Sequence, residues 1–191
     1  MLSVIDNIVA ADDLMALRRL CELHGELKEQ HDGPKLFSWN PYKGTSKTIH
    51  SPASQMLFEH YLVNYLKPYA LPYLKNSVGA EWWCNVNNDL GWHIDKDENL
   101  MNKTGQYSLP ELSSVFYPYI HCAGGELLLA DNTTISNGYI GPLPEFKSVI
   151  SVPPVENRLV LFSSGIMHMI NKFEGDRYSI AANFWPYEPN S

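Results

Sequence analysis

Apolar residues recur at helical spacing twice in the first third of the chain and at strand spacing almost throughout the remainder. Between Ala11 and about Leu27, Leu14, Leu17, Leu20, Cys21 and Leu23 fall on one side of a 3.6-residue repeat, which predicts an amphipathic helix. Asp12 and Asp13 stand at its start, where the aligned peptide dipoles favour negative charge. A second helix is expected from about Ser54 to Lys67, carrying Leu57, Tyr61, Leu62, Tyr65 and Leu66, with Pro68 halting it. Val4–Ile8 reads as a short strand before the first helix. The run from His31 to Pro41, with Gly33-Pro34, reads as a loop.

From Glu81 onward the period changes to two. Short β-rich runs separated by turn residues are expected at Glu81–Asn87, Gly91–Asp95, Ser113–His121, Glu126–Ala130, Lys147–Val152, Arg158–Phe162, Ile166–Ile170 and Arg177–Trp185. Helices first and strands afterwards make an α+β chain, with a sandwich or jelly roll carrying the helices on its outside. No linker divides the chain, so a single domain over 1–191 is expected, with a helical part at 1–80 and the jelly-roll core at 81–187. Two longer loops stand out. Lys96–Leu112 is polar and reads as a lid over a site, and Asp131–Phe146 is rich in Asn, Gly and Pro.

The stretch Gly165–Trp185 reads as a β-hairpin turning at Phe173-Glu174-Gly175-Asp176. In its second strand, Arg177, Ser179, Ala181 and Asn183 share one face, and Tyr178, Ile180, Ala182 and Phe184 share the other. Centred on Glu174-Gly175, the hairpin sets His168 opposite Ala181 and leaves Arg177 on the order of 13 Å away along the strand. A cation on a small-residue face is costly to bury unless an anion meets it. The gap between His168 and Arg177 suits a short dicarboxylate held at both ends.

Composition narrows the choices. The 191 residues suffice for a real core, and 45% hydrophobic with 12% aromatic content is globular. A net charge of −7 argues against a nucleic-acid partner, which wants a basic footprint. There is no apolar run long enough for a transmembrane helix, so no membrane partner is expected, and no signal-peptide pattern is visible. Cys21, Cys84 and Cys122 are odd in number and far apart, which favours free thiols in a reducing, cytoplasmic compartment.

Candidate metal chemistry comes from His93-Ile94-Asp95. In a strand, positions i and i+2 project to one face, so imidazole and carboxylate can share an ion. With His168 the set becomes two histidines and one carboxylate, which leaves three adjacent octahedral positions open for a bidentate cosubstrate and dioxygen. A structural zinc site would be closed by four ligands. His24, His31, His50, His60 and His121 read as ordinary surface or core histidines.

In this combination the chain resembles the Fe(II)/2-oxoglutarate-dependent dioxygenases, and among them the prolyl 4-hydroxylase-like branch. The matching residues are His93-Ile94-Asp95, Ser113-Ser114-Val115-Phe116-Tyr117, Gly124-Gly125-Glu126-Leu127, Arg158-Leu159-Val160-Leu161-Phe162, His168 and Arg177-Tyr178-Ser179, with Val4–Ile8 and its following helix resembling the family's start. The resemblance implies a double-stranded β-helix, a cupin-like jelly roll. It implies that His93, Asp95 and His168 bind iron and that Arg177, with Ser179, holds the distal carboxylate of 2-oxoglutarate. Tyr117 falls where the family often hydrogen-bonds that carboxylate. The implied cofactors are Fe(II), the cosubstrate 2-oxoglutarate and O2. The implied reaction is hydroxylation of a C–H bond, with release of succinate and CO2. A prolyl residue of a peptide or protein is the first candidate substrate, and a free amino acid or other small molecule the alternative. Asp95 fills the position that a halogenase leaves for halide. The chain departs from the family at Tyr117-Pro118-Tyr119, where a Tyr-Leu-Asn run is common, and at Asn157-Arg158, in place of a Gly-Arg turn. A tyrosine often found several residues before His-x-Asp is absent, and Asn85 and Asn87 are the nearest polar residues.

Three rivals are weighed against this. Nucleic-acid dealkylases resemble a pattern with a second arginine six positions after the first, where this chain has Asn183. A zinc or manganese cupin would leave Arg177 and Ser179 without a task. A non-catalytic jelly-roll module would use Trp39, Trp82, Trp83, Trp92 and Trp185 to grip a sugar or a protein.

Overall fold

A computed structural model describes residues 1–30, 37–47, 51–87 and 90–189. His31, His50 and the side chain of His24 lie outside the described part, as do residues 31–36 of the first expected loop.

Two antiparallel sheets face each other. The larger has six strands in the order β1 (Leu2–Asp6), β7 (Arg158–Phe162), β4 (Leu112–Gly124), β9 (Phe173–Trp185), β3 (Gly79–Val86) and β2 (Ser38–Pro41). The smaller has three, in the order β6 (Ser148–Val152), β5 (Leu127–Thr134) and β8 (Ile166–Ile170). This is the jelly-roll arrangement expected, with helices α1 (Ala11–Gln30) and α2 (Pro52–Tyr61) against the outside of the large sheet.

Burial follows the strand period. On β9, Tyr178, Ile180, Ala182 and Phe184 face outward onto Leu17, Leu20, Phe58, Tyr61 and Leu66 of the helical layer. Phe58 stacks on Trp82 of β3, ring centroids 4.0 Å apart. Between the sheets lies a second cluster of Val115, Tyr117, Leu127, Leu129, Val160, Phe162 and Ile170. Because both faces of β9 are covered, Ser179–Trp185 is buried without interruption.

Several elements differ from the sequence expectation. Pro68 does not stop the second helix. The turn Leu62–Leu66 widens, Lys67 N–H reaches the carbonyl of Leu62, and Pro68 then opens the next helical turn, α3 (Lys67–Ala70). Widening relieves the clash a proline ring makes with the preceding turn. The polar run after Lys96 holds a helix, α4 (Glu98–Thr104). Asp97 caps it by accepting from Leu100 N–H, and Gly105 closes it at φ 71°. Gly91–Asp95 forms no strand, only a bridge between His93 and His168. β2 was expected as loop. The second long loop, instead of hanging free, tucks Ile135 under Ile94, Tyr107 and Met167.

The largest correction concerns the hairpin. β8 and β9 do not pair: β8 lies beside β5 in the small sheet, and β9 lies between β3 and β4 in the large one. His168 stands opposite Leu129, and Ala181 stands opposite Trp83 and Val115. The chain crosses between sheets at Asn171-Lys172, and Phe173–Asp176 belongs to β9. Gly175 is needed for closeness rather than for a turn. At φ 103° it lies where a Cβ would sit 2.3 Å from the carbonyl oxygen of His121.

Candidate active site

The crossover places β8 and β9 on facing walls of one cleft. Its empty volume is about 440 Å³, part of it open to solvent. Its lining includes His93, Asp95 and His168 together with Arg177 and Ser179, and Trp83, Leu90, Leu127 and Ile170 add apolar wall.

His93 and Asp95 reach the cleft from the segment after β3, and His168 from β8. Backbone bonds in both directions, 3.0 and 2.9 Å, clamp His93 to His168. Asp95 Oδ1 lies 4.0 Å from His93 Nε2, and its Oδ2 lies 3.7 Å from His168 Nε2. One ligand atom from each of the three lies within 4.8 Å of the others. Each imidazole is oriented by its other nitrogen. His93 Nδ1–H donates to the carbonyl of Gly91 at 2.7 Å, and His168 Nδ1–H to that of Ile166 at 3.0 Å. A carbonyl only accepts, so both Nε2 atoms keep a lone pair directed at the common point. Ser113 on β4 donates to Asp95 Oδ2 at 3.1 Å and orients the carboxylate. Burial lowers the pKa of His168, which favours its neutral, ligating form.

Arg177 is 1% exposed. Its Nε–H donates to the carbonyl of Gly125 at 2.9 Å, Nη1 to Ser179 Oγ at 3.4 Å and Nη2 to Tyr117 OH at 3.3 Å. Every one of these partners is neutral, and no ion pair joins Arg177 to a carboxylate among the described residues. Burying a guanidinium without a counter-ion costs several kcal/mol, so the arrangement calls for an anion. Gly125 lets the arginine pass, since a Cβ there would sit 2.8 Å from Arg177 Cδ. Tyr117 is fully buried, and burial raises its phenol pKa against the opposing pull of Arg177, so it stays protonated. Pro118 is accommodated by a register shift between Phe116 and Tyr119, which leaves Tyr117 facing inward.

All six residues singled out in the sequence, His93, Asp95, His168, Arg177, Ser179 and Tyr117, therefore meet in one region. His60 and His121 stand apart, the first bonded to Asp13 and Asn64 and the second exposed. Sequence reasoning gave no individual role to Ser113 or Gly125, and named Trp83 only as one of the aromatics of a binding module. The sequence offered for Ser113 only one of two adjacent serines near the start of the strand, and for Gly125 a second glycine beside Gly124. Trp39, Trp82 and Trp185 are buried, so they cannot grip a partner.

The profile of the 2OG-Fe(II) oxygenase superfamily matches residues 82–185, more than half of the chain. The chain belongs to this superfamily. Its cofactors are accordingly Fe(II), 2-oxoglutarate and O2, and the donor set fits them, with three ligands at one point and an unneutralised guanidinium across the cleft. A comparison with curated proteins finds no match. Among solved structures the oxygenase fold is shared with a Pseudomonas putida prolyl-4-hydroxylase. That pair is 17% identical, covers 98% of this chain and 93% of the other, and has a TM-score of 0.60. HygX from Streptomyces hygroscopicus, solved with nickel and 2-oxoglutarate bound, is 13% identical over 97% of this chain and 82% of its own, TM-score 0.57. A Trichoplax adhaerens prolyl hydroxylase in complex with a hypoxia inducible factor peptide fragment is 15% identical over 97% and 83%, TM-score 0.54. At such identities the likeness is one of fold.

Proposed function

We propose that this oxygenase hydroxylates a C–H bond of a prolyl residue in a peptide or protein, with release of succinate and CO2. In this reading His93, Asp95 and His168 hold Fe(II), and Arg177 pairs with the distal carboxylate of 2-oxoglutarate. When bound, the iron would bring together dioxygen as the oxidant and the 2-oxo acid as the co-substrate oxidised alongside the C–H bond. The chain's own residues position and exclude. Gly91 and Ile166 carbonyls fix the imidazoles, and Ser113 fixes the carboxylate. Ser179 and Tyr117 accept from Arg177, which leaves both hydroxyl protons free to donate to the same anion. Leu127, Phe162 and Ile170 give the cleft apolar walls, which strengthens a charge-assisted bond inside it.

The observation that carries the reading is the buried, acid-free guanidinium facing a three-ligand cluster across one cleft. Support for a prolyl substrate comes from the fold shared with two prolyl hydroxylases and from Trp83. That side chain is only partly buried, is held edge-on by Phe37 at 5.0 Å, and offers a flat apolar face on the cleft wall.

The test incubates the protein with Fe(II), 2-oxoglutarate and a panel of proline-containing peptides and free amino acids. Succinate release and a gain of one oxygen by a peptide support the proposal. Gain on a free amino acid alone moves the substrate to small molecules. No 2-oxoglutarate turnover, together with no effect of Arg177→Ala, would overturn the cosubstrate assignment.

A further inference from the structure

Asn85 has no role in the account so far. It lies on the inner face of β3, in register opposite Ser179 and therefore diagonal to Arg177. It is 9% exposed, lines the cleft, and its carboxamide makes no hydrogen bond to a described residue. The neighbouring polar groups are all partnered: Arg177 with Ser179 and Tyr117, Asp95 with Ser113, and Ser114 with the carbonyl of Ala182. The amide opens onto the cleft, where no described protein group takes its hydrogen bonds and a bound ligand can.

We propose that Asn85 is a further binding residue for the cosubstrate, its Nδ2 donating to the distal carboxylate that Arg177 pairs with. The inference rests on the cosubstrate assignment above. An ionised carboxylate offers about four lone-pair sites, more than one guanidinium fills. Arg177 and Ser179 approach it from β9 and Tyr117 from β4. Asn85 adds a donor from β3, on the other side of β9. A 2-oxo acid with an uncharged tail would leave both the guanidinium and the amide unpaired, so the residue also sharpens the choice of a diacid.

The experiment titrates 2-oxoglutarate calorimetrically into Mn(II)-loaded protein and follows the thermal unfolding of metal-free protein, for wild type, Asn85→Leu, Asn85→Asp and Arg177→Ala. Asn85→Leu should weaken 2-oxoglutarate binding roughly tenfold while the melting temperature holds or rises. Asn85→Asp should raise the melting temperature by giving Arg177 an internal counter-ion, and should abolish measurable binding. Unchanged 2-oxoglutarate affinity in Asn85→Leu, or wild-type affinity in Asn85→Asp, overturns the proposal. If Arg177→Ala loses binding while Asn85→Leu keeps it, only the Asn85 assignment fails. If wild type itself takes up no 2-oxoglutarate, the cosubstrate assignment fails with it.

Discussion

Ser113 on β4 donates a hydrogen bond of 3.1 Å to Asp95, a residue that no regular element carries. The carboxylate is thus oriented from the sheet, although its own segment makes only a bridge at His93. Groups that orient a ligand typically contribute 10–100-fold to metal affinity. Ser113→Ala is expected to weaken Mn(II) or Fe(II) binding by about tenfold. The melting temperature of the metal-free protein should hardly change. Metal titration followed by calorimetry checks it, and unchanged affinity would mean that the bond is incidental.

The cluster of His93, Asp95 and His168 was legible in the sequence because each residue has its own local signal: a spacing of two for His93 and Asp95, and a histidine in an apolar run for His168. Arg177 stood out as a cation on a small-residue face. The pairing of strands was not legible. Phe173-Glu174-Gly175-Asp176 carries turn residues, yet Gly175 is there because the backbone of His121 passes close by, a contact from more than fifty residues away. The same limit hid the π turn before Pro68, since a proline marks a helix stop or a helix start with the same letters. Ser113 and Asn85 could not be assigned because a polar residue on an inward strand position gains meaning only from what faces it.

Gly125 is the residue over which Arg177 crosses. Its φ of +78° is unfavourable for any other residue, and a Cβ would meet Arg177 Cδ at 2.8 Å. Gly125→Ala should displace the guanidinium from the Gly125 carbonyl and from Tyr117. The expected outcome is a KM for 2-oxoglutarate raised by about tenfold, with a loss of stability of about 1–2 kcal/mol. Steady-state kinetics with 2-oxoglutarate as the varied substrate, alongside urea unfolding, checks both. An unaltered KM would show that the arginine side chain can swing aside at no cost.

Tyr61 presents the opposite case. It is fully buried in the helical layer, packed against Phe58 and Phe116, and its hydroxyl meets no hydrogen-bond partner among the described residues. Burial raises its pKa well above the usual phenol range, so the group is held neutral and idle. Tyr61→Phe removes an unpaired hydroxyl and keeps the ring. Stability should hold or rise by up to about 1 kcal/mol. Phe58→Ala in the same cluster should cost about 3–5 kcal/mol, because it empties the stack on Trp82. Denaturant unfolding of the two variants side by side checks the contrast, and a clear loss in Tyr61→Phe would reveal a partner for the hydroxyl.

Asp6 and Arg158 tie β1 to β7 at the rim of the large sheet. Arg158 Nε reaches Asp6 Oδ1 at 2.6 Å and Nη2 reaches Oδ2 at 2.9 Å, while Nη1 holds the carbonyl of Pro153. The hydrogen bonds from Arg158 lower the Asp6 pKa below 3.8, partly offset by desolvation. A carboxyl whose pKa is depressed on folding adds stability that is fully present above its unfolded value. That stability is lost as pH falls through the lower folded value, so this contribution should fade below about pH 4 and be constant above it. Asp6 is nearly half exposed, so solvent screening keeps the whole effect within about 1 kcal/mol. Asp6→Asn should therefore lower the melting temperature slightly at pH 7, and the gap should narrow as acid is added below about pH 4. Thermal unfolding of both proteins across that range checks it. A gap that persists at low pH would mean that the strand tie does not depend on the charge.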